Sequence, residues 1–175
     1  MANTKWVIDP THSEVTFKVK HLMISKVTGS FNIFEGTTET ETEEFSKVKN
    51  LKFKADVKSV NTNNEDRDNH LRSDDFFASG LYPNIRFTTK KFNLETGVIK
   101  GDLTIKNTTK PVTLDVDFGG VVVDPYGQTK AGLTANGKIS RKEFGLVWNS
   151  VTEAGNVVVG DQIRLSAEVQ FIKQA

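Results

Sequence analysis

The chain has no cysteine among its 175 residues, only three histidines and two methionines. It also lacks any apolar run of the eighteen or more residues that a membrane-spanning helix requires. Without cysteine there is no disulfide framework and no thiolate metal site. His12, His21 and His70 do not show the short ligand spacing of a zinc or iron site, so a metal would depend on tertiary assembly alone. There is no G-x-S-x-G elbow and no serine in an activating setting. A phosphate loop and a dinucleotide fingerprint are equally absent. The carboxylate pairs Glu43-Glu44 and Asp74-Asp75 are chain neighbours, which cannot face one another across a bond. Neither sign of charge dominates: 23 basic residues meet 22 acidic ones, for a net charge of +1, so no basic face for nucleic acid is expected. The start, MANTKWVIDP, carries no apolar run behind a positive region. The reading is a soluble, cytoplasmic protein without a signal peptide, with a periplasmic protein whose leader has been removed as the alternative.

What is present is alternation. A length of 175 residues suits one domain spanning 1–175. Val15, Phe17 and Val19 share one face of a strand whose other face is Glu14, Thr16, Lys18 and Lys20, the mark of a half-buried strand. The same pattern returns at residues 27–34, 51–57, 85–94, 99–105, 112–118, 133–139 and 163–171. Gly29 is read as a bend or bulge, and a parity change between Phe87 and Phe92 as a second bulge. Residues 107–111 and 124–127 read as turns. TTETETEE, residues 37–44, reads as a solvated loop. Eight strands, each with one apolar face and short connections, predict an all-β fold. A closed antiparallel barrel is favoured because closure removes exposed edges. Ala55, Gly101, Ala135, Gly137 and Ala167 on the inner face leave room for a cavity, although neighbouring rings could fill it.

One segment departs from the pattern. Residues 62–79 read as a helical insertion, with Thr62 and Glu65 as a capping box and Ser73 opening a second turn before Phe76 and Phe77. Tyr82-Pro83 ends it. Arg67, Asp68, Arg72 and Asp74 form the densest charge cluster, read as ion pairs tying the helix to a barrel rim, or as a fringe for a ligand head group. Inward parity nominates Phe17, Val19, Phe31, Phe53, Phe87, Leu103 and Leu114 as cavity lining, together with Phe76 and Phe77. Phe144 and Trp148, in the irregular stretch 140–160, are read as lining near the mouth, and Arg67, Asp68, His70 and Arg72 as the rim.

Several motifs together resemble the YceI-like family of polyisoprenoid-binding, lipocalin-like proteins. They include Trp6, Asp9, His12-Ser13 and His21; Arg67-Asp68, His70-Leu71 and Phe76-Phe77; Tyr82-Pro83; and Gly101-Asp102-Leu103-Thr104-Ile105. Lys110-Pro111-Val112, Arg141-Lys142-Glu143-Phe144-Gly145 and Val159-Gly160-Asp161 complete the set. The resemblance implies an extended eight-stranded antiparallel lipocalin-like barrel and a long apolar cavity. It further implies a non-enzymatic carrier of a polyisoprenoid, isoprenoid quinone or fatty-acyl lipid that needs no cofactor. Some members pair as dimers, so a homodimer is compatible with it. Many members carry an export signal that is not seen here, and Lys142-Glu143 stand where relatives often have a single acidic residue before the phenylalanine. Two alternatives stay open: an interaction module with a filled core, and an enzyme acting on a small amphiphile through Arg67, Asp68 and His70.

Overall fold

The structure is a computed structural model that describes residues 3–149 and 158–175. Its strands are β1 (Thr4–Ile8), β2 (Glu14–His21), β3 (Ser25–Phe31), β4 (Phe34–Thr40), β5 (Lys47–Asp56) and β6 (Val60–Asn61), then β7 (Asn84–Asn93), β8 (Val98–Ile105), β9 (Thr108–Val123), β10 (Thr129–Ser140) and β11 (Val159–Lys173). One α-helix, α1 (Glu65–Arg72), separates β6 from β7.

All pairings are antiparallel, in the order β1-β4-β5-β7-β8-β9-β10-β11, and β1 pairs back onto β11 to close the ring. The eleven strands make eight staves because some staves are broken. β1 and β2 lie along the same edge of β11, opposite Phe171 to Lys173 and Val159 to Glu168 respectively. β4 pairs with β1 and β3 with β2, so these two are also one broken stave. The first break is a 3-10 turn, Pro10–His12, whose entry Asp9 caps by accepting from Thr11 N. Ser13 pins it to β11, donating to Asp9 O at 2.7 Å and accepting from Gln170 N at 3.0 Å.

Interior glycines are covered rather than open. A Cβ on Gly29 would lie 2.2 Å from the Phe17 ring. Gly29 therefore seats that ring instead of bulging, and β2 and β3 keep one register past it. Gly101 seats Phe87 and Gly137 seats Leu114 in the same way. Ala55, Ala135 and Ala167, the last two paired across β10 and β11, are the small residues that do border free space.

Three local readings are corrected. The inward parity of β7 does shift before Phe92, but without a bulge: β5 shifts with it at Asn50 (φ 53°), and the pairing holds one register from Lys47↔Asn93 to Asp56↔Asn84. The turn read at residues 107–111 is a tight one at Lys106 and Asn107, and Pro111 lies within β9 opposite Asp102. Residues 37–40 are strand, not loop, with Thr38 and Thr40 almost fully buried. Thr40 Oγ1 accepts from the indole of Trp6 at 3.0 Å, and Thr38 Oγ1 donates to Lys49 O.

Those threonines sit at the closed end. Phe45, carried by the loop after β4, meets Trp6 edge-on with ring centroids 4.9 Å apart and contacts Phe171 and Phe118 at 5.4 and 5.9 Å. Trp6 and Phe45 are buried and close that end with packed rings. Outside it, Lys130 bridges Asp9 and Asp124 at 3.1 and 3.5 Å, and His12 Nδ1 lies 2.8 Å from Asp9. Burial acts to raise the Asp9 carboxyl, but hydrogen bonds from Thr11, His12 and Lys130 outweigh it, so the group lies well below the usual carboxylate range.

Candidate ligand cavity

Above the packed rings the barrel encloses a cavity of about 380 Å³, within the usual size range of ligand sites. Its walls are the inward residues of the staves, because strict alternation places every second side chain on one face. Phe17, Val19, Phe31, Phe53, Phe87, Leu103 and Leu114 all line it, as do Phe76, Phe77 and Trp148. Aliphatic residues of the same parity, including Ile85, Ile99, Leu133 and Ile139, share the wall.

Phe144 does not reach the cavity. The β9–β10 pairing stops at Asp115↔Asn136, and the two strands splay toward the α1 end. Phe144, on the 3-10 turn Arg141–Phe144, is buried beside Val112 and Ile139 in that split. It seals the wall from outside, because the turn carries it away from the inward parity.

The end near α1 is built by irregular segments. Asn64, not Thr62, is the N-cap, accepting from Arg67 N at 2.9 Å. Thr62 is diverted: its N–H and hydroxyl both donate to Asp68 Oδ1, at 2.8 and 2.6 Å. Arg67 donates to Thr62 Oγ1 and Thr62 O, and Arg72 to Lys58 O and Val60 O. The cluster thus ties α1 to the strand before it through backbone carbonyls and a threonine, not through ion pairs. Among the rim residues, Arg67 and His70 border the cavity, while Asp68 and Arg72 face the tether. His70 Nε2 lies 2.8 Å from Asp75 Oδ2, and its ring meets Trp148 edge-on at 4.6 Å and Phe76 at 5.1 Å. Phe77 packs on Phe31, which packs on Phe17.

Arg141 belongs to this end as well. It is 2% exposed. Its guanidinium donates to Gly160 O, Leu146 O, Trp148 O and Val159 O at 2.6 to 3.2 Å, clamping the segment after β10 onto β11. Burial lowers its pKa from the ordinary value and Asp161 counters this. Its inward position could have been read from the sequence, since Leu133, Ala135, Gly137 and Ile139 lead by steps of two to Arg141. The rest of the stretch 140–160 is described only outside residues 150–157.

The result is an amphipathic chamber. Rings and aliphatic chains form its body, and Thr62, Arg67, His70, His21 and Arg141 gather at one end. Among the described residues, no group of three or more His, Cys, Asp or Glu side chains is placed to hold a metal ion. No helix among them is long and apolar enough to cross a membrane.

Comparison with known proteins agrees with this architecture. The chain is 40% identical over 171 residues to a UPF0312 protein of Staphylococcus aureus, covering 96% of this chain and 97% of that one. It is similar to the crystal structure of the YceI protein of Campylobacter jejuni, with a TM-score of 0.74, 36% identity, and 89% and 90% of the two chains covered. A polyisoprenoid binding domain from Saccharophagus degradans shares the fold at a TM-score of 0.73 and 14% identity, over 97% of this chain and 98% of that one. The YceI-like domain matches residues 6–171, and the chain belongs to that family.

Proposed function

We propose that this protein binds and sequesters or carries an amphiphilic lipid with one long apolar chain, of the polyisoprenoid, isoprenoid quinone or fatty-acyl class, without chemical conversion. The observation that carries this reading is the chamber itself: an apolar cavity inside the barrel with polar side chains collected at one end. The polyisoprenoid-binding relative of the same fold supports the ligand class. The ligand's polar end lies beside Arg67 and His70. Burying about 20 hydrocarbon carbons at about 0.8 kcal/mol each yields roughly 16 kcal/mol gross. Ordering the chain and the complex takes back several kcal/mol or more. The surplus is enough for micromolar or tighter binding with few polar contacts.

The test is mass spectrometry of an organic extract beside native mass spectrometry of the intact protein. A stoichiometric prenyl or acyl species supports the carrier. A protein that is empty and also fails to take up prenyl quinones and fatty-acyl probes supports the interaction-module reading instead.

A homodimer is part of the same proposal. Past Val116, β9 has no backbone partner on its β8 side among the described residues. Val121, Val122, Val123 and Tyr126 are exposed there, an apolar edge suited to a second copy. Light scattering on Val122→Lys would show a monomer where the parent chain is a dimer.

A further inference from the structure

The hairpin joining β2 to β3 is built unlike an ordinary turn. Its loop is Leu22, Met23 and Ile24, and Ile24 N closes on His21 O at 3.2 Å. Leu22 and Met23 both adopt left-handed backbone, with φ of 53° and 60°. Hairpins favour Asn and Gly at such positions, because a bulky side chain is strained there. The sequence nevertheless places apolar residues at this tip and leaves them uncovered. Ile24 is 86% exposed and Met23 52%.

Behind the tip the outer face of the barrel is basic. Lys20 lies opposite Lys26, one rung below the His21↔Ser25 pair. Two residues farther down, Lys18 lies opposite Arg164, and Arg164 opposite Lys138. All five cations are exposed, and among the described residues none makes an ion pair. Like charges directly across a ladder are unfavourable, so this clustering does not serve the sheet. In a chain of net charge +1 it means that charge is segregated. Asp161, the carboxylate next along β11, is engaged by Ser140 Oγ and Lys142 N. The acidic pair Glu14 and Glu168 lies four rungs beyond Arg164, away from the tip.

The tip also stands at the polar end of the chamber. His21, at the base of the loop, lines the cavity and pairs with Val159, which lines it too. We propose that the β2–β3 hairpin is a membrane-docking tip: Met23 and Ile24 enter the surface of an anionic bilayer while Lys18, Lys20, Lys26, Lys138 and Arg164 face the head groups. The dimensions agree. At about 3.4 Å per residue, the Lys20–Lys26 rung stands roughly 7 Å behind Ile24 and the Lys18–Arg164–Lys138 row roughly 14 Å behind. An apolar tip buried about 5–10 Å at the acyl boundary puts the first rung at head-group depth. The inference deepens the carrier reading, since docking would bring the cavity end to the place where a lipid leaves or enters a bilayer.

The experiment is flotation of the purified chain with vesicles of phosphatidylcholine and phosphatidylglycerol in equal parts, and with phosphatidylcholine alone, at low and high ionic strength. Two variants are compared: Met23→Asn/Ile24→Ser, which suits the backbone but removes the apolar tip, and Lys18→Glu/Lys26→Glu. The expected result is binding to the anionic vesicles that salt weakens, with loss in both variants. Each cation near such a surface contributes about fivefold in affinity, so the double reversal should weaken binding about twenty-five-fold or more. Failure of the parent chain to float, or flotation unchanged in either variant, overturns the proposal. Uptake of a fluorescent fatty acid added in solution is read on the same samples. Intact uptake with no flotation overturns the docking alone, whereas flotation without uptake overturns the carrier reading and leaves the docking standing.

Discussion

Ala135→Leu separates a chamber from a packed core by the sign of a stability change. Ala135 is 8% exposed, lies opposite Ala167 across β10 and β11, and borders the cavity. Leucine adds three carbons to that wall. If the space is free, their burial contributes about 0.8 kcal/mol each, less about 0.5–1 kcal/mol of lost rotamer freedom, for a net gain of about 1.5 kcal/mol. In a chain of this size that raises Tm by roughly 3–6 °C. In a core already packed, the same insertion costs about 1–3 kcal/mol and Tm falls. The assay is thermal unfolding of delipidated protein, since bound lipid would itself raise Tm, followed by titration with a fluorescent fatty acid. The chamber predicts a higher Tm and weaker uptake, by about fourfold for each ligand carbon displaced. A lower Tm with unchanged uptake would refute the assignment of Ala135 to the ligand wall.

Thr40→Val keeps the shape of the closed end but leaves the Trp6 indole N–H, in a fully buried side chain, without its acceptor. A loss of about 2 kcal/mol is expected in denaturant titration. Asp9→Asn removes one partner of the buried bridge to Lys130 and should cost about 3 kcal/mol near neutral pH, the low end for such a pair because Asp124 still faces Lys130. The folded-state pKa of Asp9 is lowered. The stability it contributes is therefore fully present above the ordinary carboxylate range and is lost as pH falls below about 4 toward the lowered value. Parent and variant curves should converge in acid, and a constant gap down to low pH would count against the bridge. Arg141→Met removes four hydrogen bonds to carbonyls and should destabilise the chain by about 3 kcal/mol, measured by urea unfolding.

Much of the barrel was legible because a half-buried antiparallel strand must alternate. Val15, Phe17 and Val19, or Ile99, Leu103 and Ile105, reveal their inward face directly, and most of the cavity wall follows from that parity. The stretch TTETETEE alternates just as strictly. Its inward residues are Thr38 and Thr40, whose hydroxyls serve Lys49 O and the Trp6 indole, so a pattern sought in apolar residues passes over it. The helix cap was misread for a related reason. Thr62 and Asn64 are both good caps, and only the tertiary demand of Asp68 and Arg67 on the Thr62 hydroxyl decides between them.

The two ends of the barrel follow a different logic from its wall. Most inward positions on the eight staves are apolar, so the staves alone say little about which end is shut and which carries polar groups. That difference is made by segments with no period. A loop carries Phe45 down onto Trp6 and Phe171, and a 3-10 turn sets Phe144 into the split between β9 and β10. The insertion delivers Phe76, Phe77 and His70 to the other end, where Arg141 holds Trp148 in place. Phe45, Phe76, Phe77 and His70 are held there by ring contacts, Trp148 by ring contacts and the Arg141 hydrogen bond, and Phe144 by its burial in the split. A family whose members keep the staves but vary the loops can therefore change what the chamber accepts without disturbing the barrel that encloses it.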